Sequence, residues 1–170
     1  MKNSEYYIKL LGLEKHPEGG WYKEVYRSNE TIKKEHLPAG FTGERHHSTS
    51  IYFMLTSDTF SAFHRIRADE LWHFYTGPPV TIYMIDNAGT YSEIKLGNNM
   101  DSGEVFQCVI PKGVWFGAMV SLPDSFSLVG RTVAPGFHFD DFELAKRDEL
   151  LLKYPLHKGI IERLTRINEQ

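Results

Sequence analysis

His64-Arg65-Ile66-Arg67-Ala68-Asp69-Glu70, followed by Leu71-Trp72-His73-Phe74-Tyr75-Thr76 and closed by Gly77, sets one imidazole and one carboxylate on either side of a bend in a β-rich run. Strand side chains alternate between faces, so His64 and Ile66 share one face while Glu70, Trp72 and Phe74 share another. With 60–67 and 69–75 as neighbouring strands around a turn near Ala68, closing the sheet points both sets inward. His64 and Glu70 then make either a metal half-site or an acid/base dyad. In the dyad, a carboxylate about 3 Å from a neutral imidazole holds one tautomer and raises the basicity of the ring, which suits removal of a proton next to a carbonyl. The plainer alternative has His64 bonding a backbone group and Glu70 neutralising a buried arginine, because a carboxylate inside a small barrel is costly without a partner.

Outward from this stretch, residues 48 to 133 form a series of short runs rich in Val, Ile, Phe, Tyr and Thr. The expected strands are 49–55, 60–67, 69–75, 79–86, 90–95, 104–110, 115–120 and 125–133. Turn residues punctuate them at Pro78-Pro79, Asn87-Ala88-Gly89, Gly97-Asn98-Asn99 and Pro111-Lys112-Gly113. Such spacing predicts an antiparallel sandwich or small barrel, the jelly roll among them. Trp21 to Arg27 alternates like a further strand. Residues 29 to 44, with Pro38, Gly40 and Gly43, read as a long loop with the composition of a mobile segment. Ser4 is the expected cap of a short N-terminal helix carrying Tyr7, Ile8, Leu10 and Leu11, with Gly12 as its stop. Beyond Pro135-Gly136, helical spacing of Phe142, Leu144, Leu150 and Leu151, then of Ile160, Ile161, Leu164 and Ile167, predicts two C-terminal helices.

Composition narrows the function classes. The 170 residues suit one domain, and a chain of this size buries roughly 70% of its unfolded surface. The 19 basic and 22 acidic residues give a net charge of −3 with neither sign gathered into runs, which argues against a nucleic-acid or membrane surface. A small neutral ligand fits this balance, as does an anion held by one or two local arginines. Cys108 is the single cysteine, inside an apolar segment. It reads as a buried, inert thiol and points to a reducing compartment. No apolar run reaches the roughly 20 residues of a spanning helix, and residues 1–5 lack the apolar core of a signal peptide. The expected location is cytoplasmic.

Several further residues qualify for the site. A metal reading would add Gln107, on the strand leading to Pro111, or His73 if a bulge turned it inward; Ile66 and Phe116 cannot contribute. Strict alternation points His73 away from the Glu70 face. Trp72 and Trp115 are either core residues or an aromatic platform for a sugar or heterocycle. Arg45 and Thr49, in Arg45-His46-His47-Ser48-Thr49, place cationic and hydroxyl groups at a strand entrance where an anion could bind. His16-Pro17-Glu18-Gly19-Gly20-Trp21-Tyr22 is either a turn bonding its own backbone or a lip of the pocket mouth.

The spacing His64-x5-Glu70-x6-Gly77 resembles the first motif of the cupin superfamily, in which a second histidine would stand where this chain has Ile66. Pro111-Lys112-Gly113-Val114-Trp115 resembles the second motif up to Phe116, where its histidine is due. Together with His16-Pro17-Glu18-Gly19-Gly20, Ser48 to Tyr52, Asp69 to Phe74 and Val133 to Phe137, in that order, these motifs resemble small single-domain cupins of unassigned function. The resemblance implies a double-stranded β-helix over 1–170, with the barrel at roughly 20–137 and C-terminal helices at roughly 141–168, forming a homodimer with a pocket in each barrel. It also implies similarity of fold to nucleotide-sugar epimerases that use a barrel histidine as base without metal. In that role His64 would be assisted by Glu70 or Tyr52, while Arg131 would pair with Glu70 if the site were structural.

The resulting expectation is a small-molecule-binding, metal-independent, epimerase-like or isomerase-like protein acting on a sugar or nucleotide-sugar. His64 and Glu70 are the expected catalytic residues, with Arg45, Thr49, Tyr52, Trp72, Gln107 and Trp115 against the ligand. Two alternatives stand beside it. One is a metal-dependent dioxygenase or isomerase using a divalent transition metal on His64, Glu70 and Gln107 or His73. The other is a non-catalytic binding or storage-like barrel.

Overall fold

A computed structural model describes residues 3–167. Its strands in chain order are β1 (Glu14–Lys15), β2 (Trp21–Arg27), β3 (Thr31–Ile32), β4 (Arg45–His46), β5 (Thr49–Thr56), β6 (Ser61–Arg65), β7 (Asp69–Thr76), β8 (Val80–Ile85), β9 (Tyr91–Leu96), β10 (Gln107–Ile110), β11 (Trp115–Val120), β12 (Phe126–Ala134) and β13 (Glu143–Leu144). They make a six-stranded sheet, β1-β2-β5-β12-β7-β10, facing a five-stranded sheet, β13-β6-β11-β8-β9, with β3 and β4 as a separate pair. Every pairing of named strands is antiparallel. This is the mainly β jelly-roll class that the spacing of the runs predicts.

One expected pairing is absent. β6 and β7 are not neighbours: β6 lies between β11 and β13, whereas β7 lies between β12 and β10 in the other sheet. A tight hairpin here would need a residue at ease with positive φ, and Ile66-Arg67-Ala68 has none. Ile66 and Ala68 are instead buried with Phe41 and Val133 as the chain crosses between sheets. Consequently Phe41 and Leu37, from the long loop, close one end of the sandwich.

The inner faces of both sheets meet over Phe53, Leu55, Trp72, Ile82, Phe116 and Val129. Helix α1 (Ser4–Leu11) packs Tyr7, Ile8 and Leu11 near Met54 and Leu128 on the outside of the six-stranded sheet. Its cap is Asn3, which accepts from the Tyr6 amide at 3.0 Å, one residue before the expected Ser4. Helices α2 (Arg147–Lys153) and α3 (Lys158–Arg163) cover Phe63, Ile85 and Trp115 with Leu150, Ile161 and Leu164. The C-terminal helices therefore start later than residue 141, because Phe142 packs against Phe137 and Phe139 and Glu143–Leu144 adds a strand to β6. α3 ends at Arg163 with Leu164 as its C-cap, so the helices also stop earlier than the expected residue 168. No helix among the described residues is long and apolar enough to cross a membrane.

Two left-handed glycines separate conformational strain from crowding. Gly12 ends α1 with φ 61° in open space, while Gly19 has φ 113° and a Cβ there would strike the Phe60 carbonyl. Gly12→Ala should therefore cost about 1 kcal/mol, the left-handed penalty alone. Gly19→Ala should cost roughly 3 kcal/mol or more, since backbone must also move. Urea denaturation of the two variants measures the difference, and equal losses would contradict the crowding argument.

Candidate active site

The turn between β1 and β2 is built from the His16-Pro17-Glu18-Gly19-Gly20 segment. Gly19 donates its amide to the His16 carbonyl at 3.0 Å, His16 donates to Gly20 at 3.1 Å, and Ala62 on β6 donates to the Glu18 carbonyl at 2.8 Å. These bonds turn the Glu18 side chain into the barrel, where it is 1% exposed. There Arg131 Nη1 lies 2.5 Å from Glu18 Oε1, and Ser61 donates its hydroxyl to the same oxygen at 2.7 Å. The other oxygen faces His64 Nε2 at 3.1 Å and His16 Nδ1 at 3.4 Å. Burial alone would push the Glu18 carboxyl up, but Arg131 and the surrounding imidazoles, aided by the Ser61 hydrogen bond, hold it at about 2.

Arg131 projects from β12 between Phe53 and Trp72, its guanidinium carbon 3.5 Å and 3.9 Å from their ring centroids. The two rings meet each other edge-on, at 64° and 6.0 Å between centroids, so this buried cation sits in the corner between two aromatic rings. Arg131 pairs with Glu18 rather than with Glu70. The expected His64–Glu70 dyad is likewise replaced by His64–Glu18, because β6 and β7 belong to opposing sheets.

The two histidines have different proton inventories. His64 Nδ1 is 2.7 Å from the Ala62 carbonyl, which can only accept, so Nδ1 carries hydrogen. Its Nε2 is engaged by Glu18, and a hydrogen bond there requires one further proton shared between ring and carboxylate. Burial lowers the His64 pKa, with Glu18 opposing. His64 Nε2 thus faces Glu18 rather than Glu70, so the expected pairing of the His64 base with Glu70 is not formed. His16, in contrast, accepts at Nδ1 from the Glu18 amide at 3.2 Å. Its ring is held edge-on to Tyr22, and burial, opposed by Glu18 and assisted by Arg131 and His64, brings its pKa down to about 4.

Glu70 stands on β7 and lines the same cavity, of about 360 Å³, as His16, Glu18, His64 and Arg131. One of its oxygens accepts from Trp72 Nε1 at 3.1 Å. The other has no hydrogen-bond partner among the described residues. Burial pushes this carboxyl up to about 7, reinforced by Glu18 and opposed by Arg131 and Trp72. Tyr22, Phe137, Phe139 and Phe142 supply apolar walls, and Glu24, Arg27, His46 and His138 add polar groups. Cys108 is held at about 12 by burial and the Glu70 charge, and so stays a thiol.

The remaining residues named from sequence divide sharply. Thr49 lines the cavity and its hydroxyl oxygen accepts from the Phe137 amide at 2.9 Å, so it anchors the wall. Trp72 is fully buried, serving Arg131 and Glu70 from beneath. Arg45 is buried against Asp141, with Nε–Oδ2 at 2.6 Å and Nη2–Oδ1 at 2.8 Å, which occupies the donors that an anion would need. Tyr52 packs towards α1, 6.0 Å from Tyr75, on the face away from the cavity. Gln107 is exposed opposite His73, which contacts the Thr132 hydroxyl at 3.3 Å. Trp115 belongs to the cluster under α2 and α3 and is capped by Arg65 at 4.4 Å. Neither Gln107, His73, Tyr52 nor Trp115 lines the cavity. Among the described residues, no three His, Cys, Asp or Glu side chains form a metal-ligand group.

Sequence reasoning singled out residues 16–20 without giving Glu18 its central position. The available signal was the Gly19-Gly20 pair, which lets the backbone press against β5 and β6.

A model of the family described as Cupin superfamily (DUF985) matches residues 5–145. The chain belongs to this cupin family. An uncharacterized protein of Saccharomyces cerevisiae is 34% identical over 149 residues, covering 82% of this chain and 73% of that one. Among solved structures, a Shewanella oneidensis protein aligns at TM-score 0.89 with 43% identity, over 98% of this chain and 99% of its own. A hypothetical protein from Leishmania major aligns at TM-score 0.88 with 31% identity, over 97% and 99%. This cupin barrel thus extends to relatives of matching length in a bacterium and a protozoan.

Glu70 gives the cupin a distinct stability signature. Its carboxyl moves from 4.5 in the unfolded chain to about 7 in the fold, so its contribution is complete below pH 4.5 and lost as pH rises through 7. Glu70→Gln removes that loss. Relative to the wild type, the variant should gain on the order of 2–3 kcal/mol between pH 4.5 and pH 8. Urea unfolding at both pH values measures this; a pH-independent difference would contradict it.

Proposed function

We propose that this cupin binds a small, polar, ring-bearing metabolite of the sugar or nucleotide-sugar class and moves a proton next to its carbonyl without a metal, as an epimerase or isomerase does. The observation that carries this reading is Glu70: a buried carboxyl with one oxygen held by Trp72, the other unpaired, and a pKa raised to about 7 inside an aromatic-walled cavity. A group poised near neutrality can both take and return a proton at comparable cost. Glu18, by contrast, is fixed as an anion by Arg131 and serves as the counter-charge of the site. The proton-exchanging role expected for His64 accordingly passes to Glu70, with His64 as part of its support.

The donor set does not fit a divalent metal. Ile66 and Phe116 stand where the cupin motifs would place two histidines, and both His64 nitrogens are engaged. The Arg131 guanidinium also places a positive charge on Glu18, where a second cation would be repelled.

The test is solvent exchange in D2O with keto-sugars and nucleotide-linked keto-sugars, read by mass spectrometry. The wild type should place deuterium on the carbon next to the carbonyl. Glu70→Gln should lower that rate at least about 100-fold while leaving the ligand-induced thermal shift. The wild-type rate should rise through pH 7 as Glu70 ionises, opposed by burial and Glu18 and favoured by Arg131 and the Trp72 donor, with Cys108 remaining protonated. Binding without exchange would support a non-catalytic barrel and reject this reading.

A further inference from the structure

We infer that His16 is the ligand-orienting residue of the cavity: its Nε2–H, fixed in that tautomer by the Glu18 backbone amide, donates to an acceptor oxygen of the ligand, so the site favours ligands that present an acceptor, a carbonyl among them, over ligands that present only donors. An amide N–H can only donate, and it points at His16 Nδ1 from 3.2 Å. Nδ1 therefore presents its lone pair, and the proton of the neutral ring sits on Nε2. The 3.4 Å approach of Glu18 Oε2 to Nδ1 is the longer of the two contacts and does not reverse this assignment.

The Nε2–H has no hydrogen-bond partner among the described residues, and His16 lines the cavity together with Glu70. The ring cannot swing freely. Tyr22 meets it edge-on at 4.7 Å between centroids, and Phe139 stacks on it at 6.2 Å. A donor held in place before the ligand arrives needs no reorganisation when charge develops on the oxygen it faces. A ligand ammonium offers only donors to this N–H and would be rejected.

The inference deepens the proton-transfer reading and rests on it for the chemistry. The Glu70 carboxylate takes the proton from the carbon beside the carbonyl, and the C–H electron pair becomes the carbon–carbon π bond. The carbonyl π pair moves onto oxygen, and the resulting enolate oxygen accepts from His16, which keeps its proton. Return of the proton from Glu70 to carbon restores the carbonyl. No oxidant or reductant enters.

Two-bond proton–nitrogen correlation spectra of the 15N-histidine-labelled full chain at pH 7 test the tautomer directly. His16 should show a neutral ring with Nε2 protonated; an Nδ1–H tautomer or an imidazolium would overturn the inference. Cyclohexanone and cyclohexylammonium, titrated separately, probe selectivity. Cyclohexanone should shift the His16 Nε2 resonance and bind at least tenfold more tightly, and His16→Phe should abolish that preference. An unshifted resonance, or a preference that survives His16→Phe, would overturn it. A Glu70 side chain titrating near 4.5 beside a responsive Nε2–H would instead reject proton transfer and leave the donor assignment standing.

Discussion

The contact between Arg131 and Glu18 governs the interior of this cupin. Each charge alone would be strongly disfavoured 1–2% exposed to solvent, and removal of either leaves the other uncompensated. The pair is completed by Ser61 on one Glu18 oxygen and by the Phe53 and Trp72 rings against the guanidinium. One ion pair thus joins the β1–β2 turn to β12, with β6 supplying Ser61 and His64. Because Arg131 keeps Glu18 ionised, a fixed negative charge remains in the cavity and helps to hold the Glu70 carboxyl above its usual range.

That division of labour separates the two carboxyls by environment. Glu18 has charged and hydroxyl partners on its oxygens, whereas Glu70 has one indole N–H and is otherwise desolvated. The same contrast separates the imidazoles. His64 is enclosed by acceptors, while His16 accepts a backbone proton and has a donor left over. The chemistry assigned to the cavity follows from these unequal partnerships rather than from residue type.

The strands were largely legible from sequence because both sheets bury one face, which imposes alternation on runs such as 49–55 and 125–133. The inward direction of Trp72 and the outward direction of His73 followed from the same period. The site was less legible. Proximity in sequence favoured His64 with Glu70, but the apolar Ile66-Arg67-Ala68 crossing sends those strands to different sheets. Sequence offers Glu70 as the nearer partner for Arg131, because Glu18 precedes the barrel strands and no local pattern reports a contact across that distance. Tyr52, Gln107 and Trp115 carry suitable ligand-binding chemistry, yet the six-stranded sheet turns Tyr52 and Gln107 away from the cavity, and α2 and α3 cover Trp115.

The most direct test of the central ion pair is a double-mutant cycle of Glu18→Gln and Arg131→Met, read by urea unfolding at pH 7. Each single change should cost about 3–5 kcal/mol because a charge stays buried without its partner. The double variant should lose at least about 2 kcal/mol less than the sum of the two. Losses that add to within about 0.5 kcal/mol would contradict the account, since the two residues would then contribute independently.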